Sequence, residues 1–217
     1  MNSDLGQAGL LAGYLLEIQA IKLNPENPFQ WASGWLSPIY CDNRKTLSVP
    51  KVRDFIKQAF VQQVNALESK PDIIAGVATG GIAIGALVAD ELDLPYVYVR
   101  ASAKGHGLGN RIEGGSVEGK KVLVIEDLVS TGMSSISAID ALREAGADVD
   151  HMLSIFTYGF DVAINALKNA KINFHSLTEL NNLLEVAMTN GELTDTMHNT
   201  MNNWRKDPAN WGKTVIK

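Results

Sequence analysis

The chain has 217 residues, a net charge of −5, 46% hydrophobic and 20% charged residues, which is the balance of an ordinary soluble globule with room for one well-cored domain. That acidic balance argues against general nucleic-acid binding, which needs a basic face, and no apolar run approaches the ~20 residues of a membrane span. The start, Met1-Asn2-Ser3-Asp4, lacks the features of a secretory signal, and a lone cysteine, Cys41, rules out an internal disulfide framework, so the expected compartment is the cytoplasm.

Leu10, Leu11, Tyr14, Leu15 and Ile18 recur at helical spacing and predict an amphipathic helix within residues 1–20. Pro25 and Pro28 interrupt it, and residues 29–41 follow as short extended pieces around Ser33-Gly34 and Ser37-Pro38. Pro50 then opens a helix carrying Val52, Phe55, Ile56, Ala59, Phe60, Val64 and Leu67. From residue 71 the pattern alternates, with strands predicted at 72–77, 95–100, 121–125, 149–157 and a short edge strand at 172–175. Helices are predicted at 81–92, 135–145 and 161–170. Such alternation implies an α/β fold, a mostly parallel sheet with helices on both faces, and ligands bound outside the carboxyl ends of the strands.

Between residues 101 and 119 runs a glycine-rich loop with no periodicity, the kind that serves as a lid or binding element. The tail reads as helical: Ser176 and Glu179 predict a capping box before Leu180, Leu183, Leu184 and Ala187. Gly191 breaks that run, and a further helix carries Met197, Met201 and Trp204, a stripe that reads as packing. The expected organisation is one domain, with an N-terminal segment of about 1–48, a core of about 50–175 and a helical tail of about 176–217.

The chemistry is concentrated in Val122-Leu123-Val124-Ile125-Glu126-Asp127-Leu128-Val129-Ser130-Thr131-Gly132-Met133-Ser134. Four apolar residues read as a buried parallel strand. A small-residue loop at a helix N-terminus is a phosphate cradle, because unpaired N–H groups and the helix dipole both favour an anion. Two acids beside it would repel a phosphate unless they address sugar hydroxyls or a metal ion. A phosphorylated sugar satisfies both halves. No Gly-Lys-Ser/Thr follows the glycine, which excludes a Walker-type ATP loop. A second glycine-rich turn, Gly76-Val77-Ala78-Thr79-Gly80-Gly81, serves either close packing or an anion. His151, His175 and His198 have no metal-ligand spacing, and Cys41 reads as a packed small residue.

The motif resembles the 5-phosphoribosyl-1-diphosphate (PRPP) site of the type I phosphoribosyltransferases. The likeness implies that fold, with an N-terminal hood and a helical tail. It implies PRPP contacts from Glu126, Asp127, Leu128, Val129, Ser130, Thr131, Gly132, Met133 and Ser134, and from Thr79 and Gly80 of the second turn. In the basic loop, Arg100-Ala101-Ser102-Ala103-Lys104-Gly105-His106-Gly107 is similar to the catalytic lid of orotate phosphoribosyltransferases. There the lysine and histidine reach the partner subunit's site. The resemblance thus implies Lys104, His106 and Asp127 as catalytic, Arg100, Lys104 and His106 as PRPP or diphosphate ligands, and a homodimer sharing its lids. Residues 29–44, with Phe29, Ser33-Gly34 and Ser37-Pro38, resemble the hood of the same family. That implies orotate contacts from Ser130, Ser33, Gly34 and Tyr40.

The resemblance further implies Mg²⁺ as cofactor, held mainly by PRPP and water with no dedicated protein ligands. The partners expected are orotate and PRPP, with no nucleic acid and no membrane. The chain departs from the family where some members carry basic residues: Ala32, Leu36 and Ala101 stand in lysine positions, and residues 157–161 offer no arginine for the orotate carboxylate. The expected reaction forms orotidine 5′-monophosphate on the route to UMP. The rivals are transfer to another nucleobase and a PRPP-responsive regulator.

Overall fold

The computed structural model describes residues 6–31, 34–102 and 111–212. The chain opens with α1 (Gly6–Glu17), β1 (Ile21–Leu23), β2 (Phe29–Gln30), β3 (Leu36–Ser37), β4 (Ile39–Cys41) and a 3₁₀ turn (Asn43–Ser48). It continues through α2 (Pro50–Ala66), β5 (Ile73–Val77), α3 (Gly80–Leu92), β6 (Tyr96–Val99), β7 (Ile112–Glu113) and β8 (Lys121–Val129). Then come α4 (Met133–Glu144), β9 (Asp148–Thr157), α5 (Asp161–Asn169), β10 (Asn173–Glu179), α6 (Leu180–Thr189) and α7 (Asp195–Lys206).

The main sheet has the order β10-β9-β8-β5-β6-β7, parallel throughout except for the β6–β7 pair. Strand period two splits β8 between two cores. Leu123 and Ile125 join Ile56, Phe60, Ile84, Leu180 and Trp204, drawn from α2, α3, α6 and α7. Val122 and Val124 join Ala138, Ile139, Leu142, Ala163 and Leu167 from α4 and α5. Helices therefore cover both faces, as the alternation predicts. Pro50 opens α2 at its first turn, where its missing N–H costs nothing.

Several sequence expectations need correction. The motif strand does not stop at Ile125. It runs to Val129, because β9 continues the ladder through Glu126↔Ser154, Leu128↔Phe156 and Val129↔Thr157. The edge strand covers Asn173–Glu179 rather than 172–175, since β9 also pairs there as far as Glu179↔Thr157. Ser176 thus lies inside a strand, accepting from Ser154 Oγ at 3.0 Å and donating to the Thr178 carbonyl at 2.7 Å. The capping box does not form: Glu179 is the N-cap of α6 and its side chain makes no cap bond. The expected loop of 101–119 is interrupted by β7, which returns antiparallel to β6 through Tyr98↔Glu113 and Val99↔Ile112. Helices α3 and α4 begin at Gly80 and Met133 rather than at 81 and 135. Among the described residues, no helix is long and apolar enough to cross a membrane.

Candidate active site

The order of the sheet reverses between β5 and β8: from β5 the chain steps to β6, and from β8 it steps the other way to β9. Open α/β sheets bind ligands in the crevice that such a reversal leaves at the strands' carboxyl ends. Here the crevice is deepened by unequal strand lengths. Pairing of β5 with β8 ends at Gly76↔Ile125, so Glu126 and Asp127 lie where β8 has outrun its neighbour.

The two acids point to opposite faces, as strand geometry requires. Glu126 turns toward α4 and is 4% exposed. Its Oε1 accepts from the Asp127 N–H at 3.1 Å and its Oε2 from Ser135 Oγ at 3.3 Å. Burial first, and then the Asp127 charge, push the Glu126 carboxyl well above the ordinary range. Asp127 is half-buried and faces α3 and the hood. Burial raises its carboxyl too, against the bond from Glu126 and the charge of Arg44. Asp127 is thus the acid open to a sugar hydroxyl, while Glu126 reaches one only by giving up internal partners.

Asp127 also explains the second glycine turn. A Cβ on Gly80 would fall onto the Asp127 carboxyl group, and one on Gly81 would come within 2.5 Å of the Ile125 carbonyl. Both glycines are there because β8 passes so close to the start of α3. The Ala78–Thr79 peptide preceding them is cis. Thr79, exposed at the N-cap of α3, and Gly80 therefore flank the acid end of the crevice.

Beyond the acids, Leu128 and Val129 complete the strand and Ser130, Thr131 and Gly132 form the turn into α4. Gly132 caps that helix in the left-handed region, with φ of 79°, a conformation that suits glycine. Met133 and Ser134 are exposed in the first turn of α4, where N–H groups lack intrahelical partners. An open cleft of about 1130 Å³ lies on the outer side of this loop, where Thr131 and Met133 meet Gly159, Phe160 and Arg205 of α7.

Arg100 follows β6 and lines a small cavity of about 70 Å³ together with Ala78, Arg111 and Ser134. Its Nη1 is buried without a hydrogen-bond partner among the described residues, 3.7 Å from the Glu113 carboxylate. Arg111, at the far end of the basic loop, has a different task. It donates from Nε to the Arg100 carbonyl at 3.0 Å and from Nη1 to the Ser137 carbonyl at 3.1 Å, fastening β7 to α4. Lys104, His106 and Ser33 lie outside the described residues.

The hood meets this crevice through one side chain that the sequence reading did not single out. Asn43, 1% exposed, donates from Nδ2 to the Asp127 carbonyl at 2.6 Å. Beside it, Tyr40 is exposed and its ring centroid lies 5.7 Å from that of Phe29. Gly34, with φ of 84°, closes the β2–β3 hairpin by donating to the Trp31 carbonyl at 2.8 Å. Trp31 packs 5.3 Å from Tyr158 and 5.8 Å from Trp204, ring centre to ring centre, tying the hood to β9 and the tail. Cys41 donates to Asn43 Oδ1 at 3.4 Å, and burial and then the Asp127 charge hold its thiol well above the usual value, which disfavours the thiolate.

The family model described as "Phosphoribosyl transferase domain" matches residues 45–157. The orotate phosphoribosyltransferase of Phocaeicola vulgatus is 54% identical over 202 residues, covering 93% of this chain and 95% of that protein. The crystal structure of orotate phosphoribosyltransferase from Aeropyrum pernix superposes with a TM-score of 0.72 at 28% identity, covering 85% of this chain and 99% of that one. The structure of Leishmania donovani UMP synthase gives a TM-score of 0.77 at 25% identity over 93% of this chain, which spans 42% of that longer chain. Likeness of this extent, over a crevice built in the way described, makes the chain a member of the phosphoribosyltransferases and, among them, of the orotate phosphoribosyltransferases.

Proposed function

We propose that the chain transfers the 5-phosphoribosyl group from PRPP to orotate, giving orotidine 5′-monophosphate and diphosphate in UMP biosynthesis. The observation that carries this reading is Asp127, an accessible acid at the sheet's reversal point, set between the Thr79-Gly80 turn and the phosphate loop. A sugar fits over the acids, its 5′-phosphate over residues 130–134 and its diphosphate near Thr79, Gly80 and Arg100.

In the reaction the bond from C1′ to the diphosphate oxygen breaks and its electron pair leaves with the diphosphate. The ribose ring gains oxocarbenium character while Asp127 and Glu126 hold its hydroxyls. A ring nitrogen of orotate then forms the new bond to C1′ and gives up its proton, which passes to the departing diphosphate or to water, so the step needs no dedicated protein base. Lys104 and His106 of the lid, with Arg100, offset the charge on the departing diphosphate. Lys104 does so independently of pH near neutrality.

Magnesium fits this donor set. Its ligands would come mainly from the PRPP phosphates and water. Of the two acids only Asp127 is open to it, since Glu126 turns to the opposite face of the strand and is held by Ser135 and the Asp127 N–H. Among the described residues no group of three or more acidic, histidine or cysteine side chains could hold it instead. Bound there, it would offset the diphosphate charge. The working protein is proposed to be a cytoplasmic homodimer whose lids serve each other's sites. An ultraviolet assay of orotate consumption tests the reading: absorbance should change only when PRPP and Mg²⁺ are both present. Turnover with a different nucleobase, and none with orotate, would replace it.

A further inference from the structure

A net charge of −5 leaves an anionic base to be met by a local cation rather than by the global field. The 3₁₀ turn Asn43–Ser48 supplies one at the right place. Its first residue is fastened to the motif strand by the 2.6 Å bond from Asn43 Nδ2 to the Asp127 carbonyl, so the turn keeps a fixed position over the crevice. Arg44 comes next. It is held from behind, with Nε donating to Asp42 Oδ1 at 2.7 Å, while its side chain stays 60% exposed. Four of the five N–H groups of a guanidinium sit on its two terminal nitrogens, and a bond at Nε leaves that end free to take a planar carboxylate in bidentate fashion. The Arg44 charge pulls the Asp127 carboxyl down against the effect of burial, which places the guanidinium near the sugar-facing acid. Arg205, the guanidinium beside the phosphate loop, is directed elsewhere: it donates to Asn181 Oδ1 at 2.6 Å and to the Gly159 carbonyl at 3.5 Å.

We propose that Arg44 sets base specificity, its guanidinium pairing with the carboxylate of the incoming base while Tyr40 covers the ring. This rests on the reading that the base is orotate. The arrangement gives the hood a cation although Ala32 and Leu36 carry none.

The test is steady-state kinetics of the full chain, comparing wild type with Arg44→Ala and Arg44→Lys, using orotate and its uncharged methyl ester. Arg44→Ala should raise the KM for orotate by about 10- to 100-fold, the loss of a charge-assisted pair, and leave the KM for PRPP within about twofold. Its preference for orotate over the ester should collapse, and Arg44→Lys should recover part of both. Circular dichroism melting keeps the comparison to folded protein, and the lysine variant preserves the charge if alanine loosens the turn. An orotate KM unchanged in Arg44→Ala, in an active wild-type background, overturns the inference alone. Equal losses toward orotate, ester and PRPP would make Arg44 structural and overturn it as well. A wild type that uses PRPP with another base overturns the functional reading and this inference with it.

Discussion

At the scale of single residues, the two neighbouring acids have divergent fates that their identity does not foretell. Strand period sends Glu126 into the α4 side and Asp127 into the hood side, so one carboxyl is buried and bonded while the other is accessible. A carboxyl raised by burial ionises freely only in the unfolded chain. Stability is therefore undiminished below the ordinary glutamate value of 4.5, falls as pH climbs from there, and stops falling above the raised folded value. Glu126→Gln removes this penalty and should stabilise the protein near neutrality by on the order of 1 kcal/mol, or about 2–4 °C in Tm. Thermal melts from pH 4 to pH 8 should show the gap between variant and wild type widening with pH. A gap that stays flat would mean that Glu126 ionises normally in the fold.

At the scale of elements, contiguous features were legible and distant pairings were not. The hydrophobic run, the acids and the loop of β8 and α4 stand in one stretch, so strand, turn and helix could be placed from it. The 2.6 Å bond from Asn43 to Asp127 joins positions 84 apart, and no local pattern announces it. Arg100 and Arg111 sit in one loop and look alike in the sequence, yet only pairing with β6 decides that Arg111 fastens β7. The capping pattern at Ser176 and Glu179 failed for a related reason: the ladder to β9 overrides a local preference for helix entry. The hood's attachment can be measured. Asn43→Ala leaves the Asp127 carbonyl without its donor and should cost about 1–3 kcal/mol in urea unfolding, with a lower Tm to match. A loss under about 0.5 kcal/mol would show that the bond does not anchor the hood.

At the scale of the whole molecule, alternation in the sequence implied a mostly parallel sheet but not its order, because which strand sits beside which depends on the crossovers and not on any one strand's pattern. The position of the crevice follows from that order. If lids are exchanged between subunits, an inactive Lys104→Ala chain and an inactive Asp127→Asn chain should complement each other. Random reassortment of two such dimers puts one intact site in half of the assemblies, so about a quarter of wild-type turnover should return. Verified subunit mixing without recovery would mean that each chain completes its own site.

The Asn43 bond, the Gly80 contact and the ladder from β8 to β9 together draw the crevice from three widely spaced stretches, the last reaching Thr157. Each must be in place before the others are useful, a high-contact-order arrangement. A nascent polypeptide emerging from the ribosome therefore cannot grip the sugar donor until about residue 157 has cleared the exit tunnel, and a proteolytic fragment that lacks β9 should be blind to it.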